Sequence, residues 1–590
     1  MPKSNLNILN RRAFLSQSFK TSMVVALSTL VDIPFVMKRA LAEGNIGGGK
    51  KIIFIWLRGA NDSLNSIIPI GDSQYALNRP TIALPPDPGF TYSGVGAYAG
   101  PCFDATQYAD ASLTARVAAD ATYSYNKAIP TGNGYAALHP SLKFLAPIYN
   151  AGDLALIHRV AYPKQSRSHF DSQNYWENGN PNNNLSKDGI FYRAIIESGL
   201  ANTAPLTGVS IQSALPLILR GSGAAMTNLS DPTRYDLLGV PTPTGDIKAL
   251  NALRAANNYP FPDKRNRELL DLQYENMAGT LSIFGSLNFG DSGNIFQDNI
   301  KTDGDTAWNP INSSGTSIGD SSKGYFLFPN TDDKNGGYRR TSGAGVGALD
   351  ANKQVINSSQ KSFFTNLKAA AMILNNTDAI IAGTELGGFD LHQAAGSASV
   401  SGSGSHEKLH RAIGWAIYGL RKYFTLYGRD NVSGAKVNWN DVVVVTLSEF
   451  GRTSVENADK GTDHAEAGAM FVAGGAVQGF SNVNKVTANA SGVFGCHTGD
   501  SIPWIPGPRT TNIATCGTMF AANTGITAGY LRRSCDYRSI LGEVIRDHLG
   551  STQNQLNRII PGYASAGENL MGGGTSSVDG VPIRGEVGIL

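Results

Sequence analysis

The stretch Lys51-Ile52-Ile53-Phe54-Ile55-Trp56-Leu57, followed at once by Arg58-Gly59-Ala60-Asn61-Asp62, decides the fold class. A continuous apolar run that ends in turn residues predicts a strand buried on both faces, as in a parallel sheet. Leu154–Val160 reads as a second buried strand, with a polar sequel from Pro163 into a helix at His169–Trp176. Residues 361–376 carry helical spacing, and Ala379–Ala382 is a strand leading to Gly387-Gly388-Phe389-Asp390. His406–Tyr427 predicts an amphipathic helix with Leu409, Ile413, Ala416, Ile417 and Leu420 on one face. Asp441–Leu447 is the clearest buried strand, Met470–Ala473 a short one, and Tyr537–Leu549 a closing helix. Strands alternating with helices predict an α/β fold around a mostly parallel sheet.

Long stretches rich in Gly, Ser, Asn and Tyr interrupt this pattern at about 84–135, 225–350, 395–405 and 480–535. They exceed simple connections and suit a cap, a lid or a partner surface. The 67 glycines and a charged fraction of only 16% fit such a loop-rich surface. A hydrophobic fraction of 41% excludes wholesale disorder. No repeat of 33 to 45 residues supports a solenoid or propeller. The formal charge of +3 over 590 residues, without a dense Lys/Arg block, gives no support to nucleic-acid binding.

Residues 1–42 carry a net +5, more than the whole of that charge. Asn10-Arg11-Arg12-Ala13-Phe14-Leu15 precedes an apolar stretch from Met23 to Met37, and Ala40-Leu41-Ala42 is a small-x-small cleavage pattern. This is the layout of an export signal, and the paired arginines point to the twin-arginine machinery, which carries folded proteins. The alternative is an N-terminal membrane anchor, which Asp32 and Pro34 within a short apolar stretch oppose. Residues 43–590 are then expected to be one domain with insertions, periplasmic or secreted, and without a stable transmembrane anchor. Six of the 49 basic and one of the 46 acidic residues lie in the signal, so the remainder is near −2. An oxidising destination permits disulfides among Cys102, Cys496, Cys516 and Cys535, with Cys496–Cys516 the first expectation. No CxxC supports a thiolate zinc site.

Polar groups collect just after the strands, the edge where open parallel sheets bind ligands. Asp62 follows the first strand, and Ser166, Ser168 and His169 follow the second. Asp390 and His392 follow the third, Glu449 and Arg452 the fourth, and Asp463 and His464 lie in the next loop. Carboxylates with imidazoles suit a zinc-like or manganese-like ion. A serine opening a helix beside such an ion suits an activated nucleophile. Each residue also has a plain structural use. Asp62 can serve a turn, Ser168 can cap its helix, and Glu449 with Arg452 can form an ion pair. His139 and His158 suit packing, and His406 with His410 suit a solvated helix face.

Several of these strings resemble motifs of the exported bacterial family filed as domain of unknown function 1501. They are Trp56-Leu57-Arg58-Gly59-Ala60-Asn61-Asp62-Ser63-Leu64-Asn65, Ser166-Arg167-Ser168-His169-Phe170, Gly387-Gly388-Phe389-Asp390-Leu391-His392, Ser448-Glu449-Phe450-Gly451-Arg452, Gly461-Thr462-Asp463-His464 and Asp536-Tyr537-Arg538-Ser539. Their order matches as well, over roughly residues 50–550. That family looks like a branch of the alkaline phosphatase/sulfatase superfamily. The resemblance implies an alkaline-phosphatase-like three-layer sandwich with a metal-assisted hydrolase site at its strand ends. Asp62 matches the first-strand metal carboxylate. Ser168 falls at the nucleophile, with Ser166 as the alternative, Asp390 and His392 resemble the Asp/His pair at one metal, and His464 resembles a later metal histidine. Where the superfamily commonly has Asp-His, this chain has Glu449-Phe450, and Phe450 supplies no ligand.

The expectation is a hydrolase of phosphate or sulfate esters, acting on a small anionic ester or a glycan-linked substrate. It would use a divalent metal, whether zinc, manganese, calcium or magnesium. Ser168 would attack, and Asp390, His392 and His464 would hold the ion. Asp62 and Glu449 would hold a second ion or position the nucleophile. Asp463 adds a further carboxylate, and Arg452 or Arg167 would neutralise developing charge. The alternatives are a non-catalytic exported binding or cell-surface assembly protein that keeps the fold, and a transferase acting on a phosphorylated or sulfated headgroup or glycan.

Overall fold

The computed structural model describes residues 49–84, 128–232, 358–396, 404–479, 492–497 and 530–590, with short gaps inside these ranges, and short pieces between 248 and 328. The export segment 1–42, Cys102, Cys516 and most of the insertions lie outside the described residues. No disulfide joins the two described cysteines, Cys496 and Cys535, and the expected Cys496–Cys516 pair is only half described. No helix among the described residues is long and apolar enough to cross a membrane.

Eleven described strands form one mixed, mostly parallel sheet. They are β1 (Lys51–Leu57), β2 (Leu154–Ala161), β3 (Gly208–Ile211), β4 (Thr227–Leu229), β5 (Ile381–Leu386), β6 (Val442–Leu447), β7 (Gly468–Ala473), β8 (Val493–Phe494), β9 (Cys535–Asp536), β10 (Thr575–Ser576) and β11 (Ile583–Arg584). The order is β10-β11-β9-β2-β7-β6-β1-β5-β3-β4, with β8 beside β2. β7 runs against both β2 and β6, and β10 against β11. At the centre, Trp56 stands opposite Leu447 on one side and Glu385 on the other. β1, β5 and β6 therefore end level, and their loops start from one edge.

The apolar runs are continuous because both sheet faces are covered. Successive side chains of a strand point to opposite faces. Ile53, Ile55 and Leu57 pack with Val442 and Val444 against α3 (Ser358–Asn376) and α4 (Ser405–Leu426). Ile52, Phe54 and Trp56 pack with Val443 and Val445 on the other side, against α1 (His169–Asn178), α2 (Ile190–Glu197), α5 (Tyr537–Glu543) and α6 (Gln553–Ile559). Fully burying one such aliphatic side chain is worth about 1.5–3 kcal/mol, so β1 anchors both layers.

Two expectations need correction. Tyr537–Leu549 is not the closing element: the α-helix stops at Glu543, a π-helical turn covers Val544–His548, and α6, β10 and β11 follow. His406 and His410 do not lie on a solvated face. α4 is buried nearly all round, and the two imidazoles are 2% and 0% exposed.

The C-terminal segment is tied down by Glu543, whose carboxylate accepts from the backbone N–H groups of Val587 and Ile589. Burial raises this carboxyl to about 7, with the neighbouring Glu586 adding to the shift and the backbone donors opposing it. A raised carboxyl favours the folded state fully below its unfolded value, and that contribution is lost as pH rises through about 7. The stability of the wild type relative to Glu543→Gln should therefore fall between pH 4.5 and pH 8, by on the order of 2–3 kcal/mol. Denaturant melts of the two proteins across that range check it, and a constant difference would contradict it.

Candidate metal centre

The loops after β1, β2, β5 and β6 meet at the level strand edge. Arg58 N donates to Leu386 O, and Phe389 N donates back to Arg58 O, which joins the loops after β1 and β5. Thr462 N donates to Leu391 O, bringing in the loop after β6. Gly461 permits this, since a Cβ there would lie 2.2 Å from the His392 carbonyl carbon. Within that last loop, Gly451 N donates to Glu466 O and Ala465 N to Gly451 O, and Arg452 stands opposite His464 in an antiparallel bridge.

The loop after β2 ends at a helix start. Ser168 has extended dihedrals, and its Oγ accepts from Asp171 N at 3.3 Å, so it is the N-cap of α1. Ser166 Oγ accepts from Ser168 N at 3.2 Å. His169 is then the first helical residue, with its ring beside Phe450 and edge-on to His464.

Four side chains converge here. His169 Nε2 lies 3.2 Å from His464 Nε2, and His392 Nε2 lies 3.1 Å from the same atom. Asp390 Oδ1 lies 3.3 Å from His464 Nε2, 3.1 Å from His392 Nε2 and 3.6 Å from His169 Nε2. Neighbouring ligands around one tetrahedral zinc, with bonds of about 2.0–2.1 Å, stand about 3.3 Å apart. His169, Asp390 and His464 form the one group among the described residues whose ligand atoms are all close enough to share an ion. His392 adjoins it on the solvent side, 46% exposed.

The far nitrogen of each ring explains why the near ones face inward. His464 Nδ1 lies 3.0 Å from the carbonyl oxygen of Arg167, which can only accept, so Nδ1 carries the hydrogen. His392 Nδ1 lies 3.0 Å from Asp463 Oδ1, and His169 Nδ1 lies 3.6 Å from Glu449 Oε1. In the neutral rings, three Nε2 lone pairs and a carboxylate oxygen therefore face one another. The Arg452 guanidinium meets Asp390 Oδ1 and His392 Nε2 from one side, while the His169 and His464 lone pairs repel at this spacing unless a cation or a proton lies between them. The donor set, nitrogen and oxygen without sulfur, fits zinc or manganese, and its carboxylate- and carbonyl-oriented imidazoles are the usual surroundings of metal-bound histidine.

The electrostatics follow the contacts. Contact with Glu449 raises His169 above the ordinary histidine value. Burial, with help from Arg452, lowers His464. Burial works to raise Asp390, but Arg452 overrides it and holds the carboxyl at about 2. The hydrogen bond from His392 lowers Asp463.

Of the remaining candidates from the sequence, Arg452 touches the converging atoms: its guanidinium donates to Asp390 Oδ1 and lies 3.4 Å from His392 Nε2; the others make their main contacts elsewhere. Asp62 accepts both terminal nitrogens of Arg79, at 2.6 and 2.9 Å, and Arg79 is fully buried. Arg79 also donates to Asn65 Oδ1, Ser454 O and Thr453 O. Ser166 and Ser168 serve the helix start, and Arg167 donates from its guanidinium to the Tyr530 hydroxyl. Glu449 and Arg452 do not pair with each other; each is bound to Gly59 and Ala60. His169 is the residue that sequence reasoning passed over as a ligand. Its signal is its place at the first helical position after a buried strand, next to Ser168, whose capping signal is stronger.

A layer of buried histidines lies behind the first loop. His406 Nε2 is 3.0 Å from Asn61 Oδ1, His410 Nε2 is 2.7 Å from Ser66 Oγ, and His139 stacks on His410.

The model of a family described as Protein of unknown function (DUF1501) matches residues 434–486. That stretch holds β6, Glu449, Arg452, Asp463, His464 and β7. No curated protein and no solved structure matches the chain.

Burial lowers His410 to about 4, and His139 and His406 lie well below the ordinary value for the same reason. A lowered histidine stabilises the fold above its unfolded value, and that contribution is lost as pH falls toward the folded one. Wild-type stability relative to His410→Gln should drop by on the order of 3 kcal/mol from pH 7 to pH 4. Equilibrium unfolding at stepped pH measures this, and a flat difference would contradict it.

Proposed function

We propose that the chain is an exported, metal-dependent hydrolase of phosphate or sulfate esters, built on the alkaline-phosphatase-like sandwich that its motifs resemble. The observation that supports this most is the convergence of three imidazole Nε2 atoms and Asp390 Oδ1 at 3.1–3.6 Å. His169, Asp390 and His464 would hold one divalent ion, with His392 at its open side. A bound ion would supply Lewis acidity toward an ester oxygen.

The chain's own groups do the rest. The Arg167 carbonyl, Asp463 and Glu449 orient the imidazoles. Arg452 keeps Asp390 ionised. Ser168 adjoins His169 in the chain at the start of a helix, where the backbone dipole favours negative charge. Its oxygen accepts one backbone hydrogen, and it is the nucleophile of this reading. A one-ion centre is better supported than a two-ion centre, because Arg79 already neutralises Asp62. Arg11 and Arg12 support passage through the twin-arginine machinery to the periplasm or beyond.

A second reading is an exported binding or cell-surface assembly protein that keeps the fold without turnover. The use of Ser168 as a helix cap favours it. So does the commitment of the Arg452 guanidinium to backbone carbonyls of Gly59, Ala60, Thr462 and Phe389.

Metal analysis of the purified mature chain, with an aryl phosphate and aryl sulfate screen, separates the two. The hydrolase should carry about one ion per chain, lose ion and turnover together in His464→Ala, and keep the ion but lose turnover in Ser168→Ala. Metal without turnover on a broad ester panel would favour the binding protein. A metal-free wild type would sink the metal centre.

A further inference from the structure

Glu449 is 2% exposed and is not among the side chains whose ligand atoms could share one ion. Its carboxylate accepts from Gly59 N at 3.0 and 3.2 Å and from Ala60 N at 2.9 Å. Its Oε1 also meets His169 Nδ1 at 3.6 Å. The same residue touches α1 a second time, since its backbone oxygen accepts from the Ser172 hydroxyl, three residues beyond His169. Gln165 Nε2 donates to that oxygen as well, at 3.1 Å. The first turn of α1 is thus docked on Glu449 at two points, one of them the ring of a metal-ligand candidate.

We propose that Glu449 is a positioning residue of the metal centre: held by the Gly59 and Ala60 amides, it fixes the His169 ring with Nε2 inward and adds a buried negative charge directly behind that ligand. The proposal rests on the reading of His169, Asp390 and His464 as one ion site. It gives Glu449 a different role from a ligand of a second ion. A carboxylate behind a ligating imidazole makes the nitrogen a better donor, and removing such a partner typically weakens metal binding about 10–100-fold.

The test titrates Co2+ into the metal-free full chain and records its visible absorption bands. Wild type should bind one Co2+, and His464→Ala should abolish binding. Glu449→Gln keeps a hydrogen-bond acceptor for the Gly59 and Ala60 amides but removes the charge. It should melt within a few degrees of wild type without metal, bind Co2+ about 10–100-fold more weakly, and shift the bands. Glu449→Asp, which restores the charge at a shorter reach, should recover part of the affinity. Wild-type affinity and bands in Glu449→Gln would overturn the proposal while leaving the ion site intact. Weaker binding with unchanged bands would overturn it too, as the mark of a purely structural role. If Glu449→Gln does not fold, Glu449→Asp decides: shifted bands with weaker binding support the proposal, and wild-type behaviour overturns it. A wild type that binds no Co2+ defeats the ion site itself, and the proposal with it.

Discussion

The strand edge depends on one dipeptide, Gly59-Ala60, gripped from both sides. Its two N–H groups point at the Glu449 carboxylate, and its two carbonyls accept from the Arg452 guanidinium. That geometry needs the left-handed region, and the φ values are 108° at Gly59 and 63° at Ala60. A residue with a Cβ costs about 1–2 kcal/mol there, and Ala60 stays because the contacts around it leave no alternative. Gly59 answers a second demand, since a Cβ would sit 2.4 Å from Asp390 N. Through this turn Glu449 reaches His169 and Arg452 reaches Asp390, so two converging side chains from different loops share one support.

Arginines, not exposed charge, organise the polar layer. Arg79 and Arg452 are 0% and 1% exposed, and each uses its full donor capacity, Arg79 on carbonyls, Asp62 and Asn65 Oδ1, and Arg452 on carbonyls, Asp390 and His392 Nε2. A buried guanidinium left unpaired would be costly, and its planar fork suits several acceptors at once. This is how a chain close to neutral concentrates charge at one edge.

How much of this was legible in the sequence follows from which forces are local. Lys51–Leu57 and Val442–Leu447 are apolar without interruption because each is buried on both faces, and that pattern survives in one dimension. The two-residue strands Thr575–Ser576 and Ile583–Arg584 leave no such trace. Asp390 and His392 were readable because they follow a strand directly, and His464 because it sits in a Gly-Thr-Asp-His string just ahead of β7. His169 was hidden behind Ser168, whose capping signal is stronger. The partner of Asp62 could not be read, since Arg79 lies 17 positions away on a separate loop. His406 and His410 misled for a related reason. Helical spacing shows which residues share a face, but not that a loop carrying Asn61 and Ser66 will cover it.

The charge balance around the converging atoms bears on what belongs among them. Asp390, Glu449 and Asp463 are all held below the ordinary carboxylate range and so are ionised at neutral pH. Among the described residues, Arg452 is the one arginine whose guanidinium reaches this group, through Asp390 and toward His392 Nε2. Asp62 is balanced separately by Arg79. Three negative charges against one positive leave two unmatched beside inward-facing imidazole lone pairs. A proton on His169 would offset only one of them, and it would occupy one of the nitrogens that the Glu449, Asp463 and Arg167 contacts turn inward. In the proposed ion site, a single divalent cation would offset both and take the inward lone pairs of His169 and His464, while His392 Nε2 already faces the Arg452 guanidinium.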